Sequence, residues 1–280
     1  LPMPSRLIAE LDRRVLVLDG AMGTSIHARD LDLDKDYWGC ENCTDVLALS
    51  RPDVIQDIHE TFLEVGADGV ETDSFGGAAH TLKEFDLQDR CFELNKAAAE
   101  VARKAADKFS TSDRPRFVFG SMGPGTKLVT LGQISWDAML ASYREQAKGL
   151  IAGGADALLI ETCQDLLQVK CVVNACLAAL EDAGRSPEEI PILVNVTIET
   201  IGRRHSAGAL PHRVARIELR HRPGRDGRAH RPRRAALGRR THCGSTRRLR
   251  SQRRPTSAGG RAHGVPAEAA AVRGRPGEGH

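Results

Sequence analysis

The chain has 280 residues, enough for one large domain with a substantial buried core. Its formal net charge of +3 averages two unlike segments: residues 203–280 carry 21 arginines and four acidic residues, whereas residues 1–202 carry 19 basic and 33 acidic residues. Residues 203–280 contain no Lys, Phe, Trp or Tyr and cannot offset the entropy of ordering, so we expect a disordered basic tail.

Cysteine usage and hydropathy exclude two further classes of protein. The seven cysteines are scattered without the spacing of a secreted disulfide scaffold. No apolar run is long enough to suggest a membrane span or a signal segment. We therefore expect a cytoplasmic protein.

Residues 1–202 alternate short apolar runs with amphipathic stretches of helical length. The apolar runs predict five strands, at residues 15–19, 69–73, 117–121, 157–161 and 192–196. The amphipathic stretches predict helices at residues 52–65, 91–109, 136–152 and 166–183. Ser50 is the expected N-cap of the first helix, and Pro52 lies near its first turn.

Apolar strands that alternate with helices predict an α/β protein whose parallel sheet is covered on both faces. An open doubly wound sheet and a closed (β/α)8 TIM barrel both fit this pattern. The strands end in polar residues: Asp19, Thr72, Asp73, Ser121, Glu161, Asn195 and Thr197. Any one of them could be a helix cap or turn former. Together they favour the barrel, because barrel enzymes place their chemistry at this edge.

A glycine-rich turn follows the first strand, in the sequence Leu18-Asp19-Gly20-Ala21-Met22-Gly23-Thr24. Its glycines allow a small ligand to approach the backbone, and the Asp19 carboxylate could bind a ligand ammonium group. The turn has neither the spacing of a Walker loop nor that of a dinucleotide-binding loop.

Other cysteines and histidines give no ligand set. Cys40 and Cys43 form a Cys-x-x-Cys pair, but a structural zinc site needs four ligands and no matching pair follows. Cys163 could be a reactive thiol near the site, but an incidental half-buried cysteine explains it better. The spacing of the histidines does not indicate a metal site, and we assign no catalytic or metal-binding residue.

Six segments, in order along the chain, resemble motifs of the homocysteine S-methyltransferase family, in the form found at the start of cobalamin-dependent methionine synthases. They are residues 18–24, 51–55, 66–68, 71–76, 120–125 and 160–162. The resemblance covers residues 1–202 and implies a barrel that binds homocysteine. In that family, zinc held by three cysteines turns homocysteine into a thiolate that attacks a methyl group carried by cobalamin. The folate- and cobalamin-binding modules of such enzymes are implied partners outside this chain.

The resemblance also implies roles for individual residues. Asp19 and Glu161 would bind the ammonium group of homocysteine, and the backbone of Gly20 and Ala21 would contact its carboxylate. Thr72 and Asp73 would line the same mouth, although the family commonly has Asn in place of Asp73. A betaine- or S-methylmethionine-dependent homocysteine methyltransferase is the alternative within the enzyme class.

The zinc ligands of the family are not found in this sequence. They follow the sixth and eighth strands, one in an Asn-Cys context and two as adjacent cysteines. The chain has no adjacent cysteines, and Cys243 matches neither context.

A shifted reading frame explains residues 203–280. With suitable synonymous codons read one base later, residues 216–226 become Gly-Leu-Asn-Cys-Ala-Thr-Gly-Pro-Ala-Glu-Met, the first zinc-ligand motif of the family. In the same frame residues 251–255 give Pro-Asn-Ala-Gly, another family motif in the expected order. We interpret residues 1–202 as a barrel truncated after five βα units and residues 203–280 as out of frame, and we expect no methyl transfer by the chain as given.

A basic arm that binds nucleic acid is the alternative from another class of protein. The arginines of residues 203–280 lack the accompanying lysines, aromatic residues and helical repeat typical of such arms.

Overall fold

The computed structural model describes residues 5–198, 214–220 and 236–237, and for residues 198, 214–220 and 236–237 it describes the backbone alone. All of them belong to the first of two units into which the chain divides, Leu1–Thr241. The second unit, His242–His280, lies outside the described residues, as do Cys243 and most of the expected basic tail.

Five of the seven described strands form a parallel sheet in chain order. The seven are β1 (Leu16–Val17), β2 (Gly69–Glu71), β3 (Phe117–Met122), β4 (Ala157–Cys163), β5 (Ile192–Ile198), β6 (Val214–Arg220) and β7 (Ala236–Leu237). Parallel pairing runs β2-β3-β4-β5-β6. A parallel bridge between Leu18 and Gly69 joins the end of β1 to β2, and β1 pairs antiparallel with β7. The five predicted strands, β1 to β5, are confirmed.

Helices connect the strands. They are α1 (Arg6–Arg13), α2 (Met22–His27), α3 (Leu47–Ser50), α4 (Pro52–Glu64), α5 (Ala79–Leu82), α6 (Cys91–Phe109), α7 (Trp136–Ala152) and α8 (Leu166–Asp182). The four predicted helices are α4, α6, α7 and α8. The expected N-cap at Ser50 is wrong: Ser50 ends α3, its hydroxyl donates to the carbonyl oxygen of Asp36 at 2.5 Å, and Arg51 occupies the cap position of α4. Pro52 does begin α4, where its missing N–H costs nothing.

Both faces of the sheet are apolar, as predicted. One face contributes Phe117, Phe119, Leu159 and Leu193 to a cluster closed by Leu7 of α1. The opposite face packs against α6, α7 and α8 through alternate residues: Val118, Leu158, Ile160, Ile192 and Val194. The helices cover the outer face of a barrel, so the face without α6, α7 and α8 is the inner one. Since side chains alternate across a strand, the strand-end residues in phase with that face point to the inside of the barrel.

The strand β6 was not predicted. It pairs with β5 over seven positions, from Ile192 with Val214 to Ile198 with Arg220. Without β6, that edge of β5 would present unpaired N–H and C=O groups, which an extended neighbouring segment can satisfy. Composition, on which the expectation of disorder rested, carries no information about such pairing. Among the helices that the structure describes, none is long and apolar enough to cross a membrane.

Candidate functional site

Three carboxylates converge at the carboxyl ends of the strands: Asp19 after β1, Glu71 at the end of β2 and Glu161 in β4. Burial raises the pKa of all three. The charges of Glu161 and Asp19 raise the pKa of Glu71 further, and the charge of Asp19 raises that of Glu161. No Lys or Arg among the described residues forms an ion pair with Asp19, Glu71 or Glu161. The cluster therefore favours a cationic ligand group, which would allow its members to ionise.

Asp19 is held firmly at the end of β1. Its backbone N–H donates to the carbonyl oxygen of Gly69 at 3.1 Å, and its Oδ1 accepts from the backbone N–H of Glu71 at 2.9 Å. Its Oδ2 lies 3.7 Å from Nδ1 of His59, and its side chain is only 3% exposed. These contacts fix both the position and the orientation of the carboxylate.

Glu161 is placed by an irregularity in β4. The register of β4 with β5 shifts between Ile160 and Cys163, and Thr162 adopts a left-handed backbone with φ of 59°. That conformation is strained for a β-branched residue, and bulges of this kind re-aim side chains near functional sites. The Oε1 atom of Glu161 accepts a hydrogen bond at 2.5 Å from Oγ of Ser121, which lies near the carboxyl end of β3.

The glycine-rich turn lies open beside Asp19. Ala21 has a left-handed φ of 57° and leads into α2, and both Gly20 and Ala21 are exposed. A side chain added at Gly20 or Gly23 would meet no atom within 4 Å. Backbone amides of this turn are therefore accessible to a ligand placed against Asp19.

Thr72 and Asp73 are more enclosed than the resemblance implies. Thr72 is 3% exposed, and its Oγ1 accepts from the backbone N–H of Ser121 at 2.9 Å, which ties the ends of β2 and β3 together. Asp73 is 4% exposed and accepts from Oγ1 of Thr44 at 3.1 Å. Burial raises the pKa of Asp73 to about 6. The structure thus places both residues around the carboxylate cluster, and their contact with a ligand stays a prediction.

Glu71 and His59 were not predicted as members of the site. Glu71 had a signal, since it ends a strand one residue before Thr72. His59 had a weaker one: it lies four residues after Ile55, so it shares the buried face of α4. Its contact with Asp19 depends on how α4 packs, which a local pattern does not give.

The described residues do not fit the zinc site that the resemblance implies. They contain no group of three His, Cys, Asp or Glu side chains arranged to hold a metal ion. The six described cysteines are free thiols, and burial raises the pKa values of Cys43, Cys91 and Cys163 to about 12.

Comparison with known proteins agrees with this architecture. The chain is 47% identical over 196 residues to a methionine synthase of Mycobacterium tuberculosis and 46% identical over 196 residues to one of Mycobacterium leprae; each match covers 70% of this chain. The chain spans only 16% of the length of either relative.

Solved structures give the same fold. The metallated form of the homocysteine methyltransferase MmuM from Escherichia coli superposes with a TM-score of 0.54 at 24% identity, covering 69% of this chain and 67% of that one. At this identity the likeness shows the α/β barrel fold alone. The sequence pattern of the homocysteine S-methyltransferase family matches residues 16–223, well over half of the chain. The chain therefore belongs to the homocysteine S-methyltransferase family.

Proposed function

We propose that the barrel binds L-homocysteine for methylation, with its ammonium group on the cluster formed by Asp19 and Glu161. The observation that carries the proposal is the convergence of three buried carboxylates. No Lys or Arg among the described residues forms an ion pair with any of them. Glu71 belongs to the same cluster, and the charges of Glu161 and Asp19 raise its pKa. An ammonium group would supply the missing positive charge and up to three hydrogen-bond donors.

The open glycine-rich turn supports the other half of amino-acid recognition. Exposed amides of Gly20 and Ala21 adjoin Asp19, so a ligand with its ammonium on Asp19 could place its carboxylate against them. Thr72 and Asp73 complete the surroundings in this proposal, Thr72 by fixing the strand ends and Asp73 by lining the mouth.

The complete reaction is proposed from the relatives. We place the chain in an enzyme of the methionine synthase kind, in which methylcobalamin or 5-methyltetrahydrofolate supplies the methyl group through modules outside this chain. Because the sequence has no adjacent cysteines to supply the family's zinc ligands, we propose that this chain binds substrate without transferring methyl. Identity of 47% to a methionine synthase favours this donor over betaine or S-methylmethionine.

The remaining alternatives concern location and the basic segment. Free thiols at all six described cysteines support a reducing, cytoplasmic compartment.

A nucleic-acid-binding arm in residues 203–280 would require an affinity for nucleic acid that falls steeply with salt concentration. Absence of binding, or binding that does not respond to salt, would remove that alternative.

Calorimetric titration of the full chain with L-homocysteine tests the proposal. Asp19→Asn and Glu161→Gln each remove a charged acceptor, which should weaken binding about 10- to 100-fold. Asp57→Asn is the matched control, because Asp57 is an exposed carboxylate on α4 that pairs with Arg29 at the surface. Failure of the wild-type chain to bind, or equal affinities in all variants, would overturn the proposed function.

A further inference from the structure

We propose that His59 is a positioning residue for the amino-acid site: its ring N–H holds the Asp19 carboxylate ionised and turned toward the ligand ammonium. This inference rests on the proposed function and adds a residue on a helix to a site otherwise built from strand ends. The motivating observation is the pairing of a fully buried histidine with a carboxylate of the cluster.

Burial of the His59 imidazole lowers the stability of the folded state. Its side chain is 0% exposed on the inner face of α4, beside the apolar residues Ile55 and Ile58. Neither of its ring nitrogens has a hydrogen-bond partner among the described residues. A buried polar group without a hydrogen-bond partner destabilises the folded state, so an apolar side chain would serve the packing of α4 better.

The position of His59 explains what offsets this cost. Its Nδ1 lies 3.7 Å from Oδ2 of Asp19, while the backbone N–H of Glu71 occupies Oδ1 of the same carboxylate. A movement of less than about 1 Å would bring the pair within hydrogen-bond distance, and such contacts often tighten only when ligand binds. His59 and Glu71 would then fix Asp19 from two sides.

The electrostatic setting is consistent with this role. Burial raises the pKa of Asp19, and His59 is the main group that opposes the shift, ahead of the backbone N–H of Glu71. His59 also acts against the raised pKa of Asp73. Without His59, the carboxyl group of Asp19 would more readily keep its proton and lose its attraction for an ammonium group.

The test compares affinities for L-homocysteine and for 4-mercaptobutanoate, which is homocysteine without its amino group. Wild-type chain should prefer L-homocysteine. His59→Leu should reduce this preference about 10-fold, which is the loss of one charge-assisted hydrogen bond. His59→Gln, which keeps an N–H donor, should recover part of it. The preference isolates recognition of the ammonium group, because a purely structural change would weaken both ligands alike.

Ile58→Val is the matched control, since it loosens packing on the same helix face without touching Asp19. It should leave the preference unchanged. An unchanged preference in His59→Leu, or equal weakening of both ligands, would overturn the role of His59. Equal affinity of the wild-type chain for the two ligands would instead overturn the proposed function.

A measurement on the unaltered chain guards against misfolding of the variants. In NMR spectra of the full chain with labelled histidine, addition of L-homocysteine should shift the Nδ1–H resonance of His59 downfield as its hydrogen bond to Asp19 shortens. 4-Mercaptobutanoate should produce a smaller shift. No change with L-homocysteine would contradict the proposal.

Discussion

Two aspartates beside the carboxylate cluster make the stability of the protein depend on pH. Asp45 and Asp73 are 6% and 4% exposed, and the Oδ1 atom of Asp45 and the Oδ2 atom of Asp73 have no hydrogen-bond partner among the described residues. Burial, together with the neighbouring charge of Asp73, raises the pKa of Asp45 to about 7. The pKa of Asp73 rises to about 6. In the unfolded chain both carboxyls titrate near 3.9.

The sign of the pH dependence follows from these values. Between about pH 4 and pH 7 the folded state holds protons that the unfolded state has lost, so the free energy of unfolding falls as pH rises through this range. The contribution is fully present at lower pH and is lost once both folded-state carboxyls ionise. The contribution of Asp45 and Asp73 to the free energy of unfolding should therefore be larger at acidic pH. An ion-paired carboxylate has the opposite effect, because it stabilises the folded state only when ionised.

Asp45→Asn should flatten this dependence. The amide has no charge to desolvate, and its oxygen can still accept the backbone hydrogen bond from Gly76. We expect the variant to be more stable than wild type by at least about 1 kcal/mol at pH 8 and little changed at pH 4. Urea unfolding at the two pH values measures the difference. Asp57→Asn, on the surface, is the control, and parallel pH profiles for Asp45→Asn and wild type would contradict the account.

At the scale of elements, the close packing of α6 and α7 depends on two glycines one turn apart. A side chain at Gly149 would lie 2.6 Å from the carbonyl oxygen of Phe92 and 2.9 Å from Cβ of Asn95. At Gly153 it would contact the carbonyl oxygen of Lys96 and come within 2.6 Å of Cβ of Ala99. The two helix backbones therefore approach each other more closely than a residue with a side chain would allow.

Gly149→Ala should lower the free energy of unfolding by about 1–3 kcal/mol, the usual cost of overpacking. The same substitution at Gly23, in α2, meets no atom within 4 Å and should be neutral or stabilising by up to about 1 kcal/mol. Chemical denaturation of both variants checks the pair. A neutral Gly149→Ala would show that α6 and α7 do not pack as closely as described.

Strands β1 to β5 could be predicted from sequence because each overlaps an apolar run of about five residues, and the long helices because each spans several turns of its hydrophobic pattern. The short helices α1, α2, α3 and α5, of four to eight residues, complete too few turns for that. Strand β6 was missed because pairing at the edge of β5 is a property of the sheet and not of composition. Ser50 was misassigned because its hydroxyl binds Asp36, a partner 14 residues away, instead of capping α4.

The site also divides into residues that a local sequence pattern locates and residues that only the packing of the fold brings together. Asp19 and Glu161 could be located from sequence, since the carboxyl ends of parallel strands meet at one edge whatever the details of packing. His59 could not, because its approach to Asp19 depends on where α4 lies. The enclosure of Thr72 by Ser121 likewise depends on the register between β2 and β3.

At the scale of the whole molecule, the division of charge at residue 202 leads to the frame hypothesis. The family match reaches residue 223, and most of residues 203–280 lie outside the described residues, so the hypothesis stays a prediction. Its consequence concerns zinc. The chain as given offers no adjacent cysteines. With suitable synonymous codons, the shifted frame would encode an Asn-Cys motif.

Sequencing the source DNA across codons 202–226 tests the frame hypothesis. Read one base later, codons 216–226 should encode Gly-Leu-Asn-Cys-Ala-Thr-Gly-Pro-Ala-Glu-Met. Any other translation in that frame would contradict the hypothesis, and the bases near codon 202 would show whether one had been gained or lost.

In the proposed complex, the carboxylates of Asp19, after β1, and Glu161, in β4, bind the amino group of homocysteine. A crystal structure of the chain with L-homocysteine tests this arrangement most directly. We predict that the ligand nitrogen lies at hydrogen-bond distance, about 2.7–3.2 Å, from carboxylate oxygens of both Asp19 and Glu161. A ligand nitrogen placed away from both carboxylates would contradict the account.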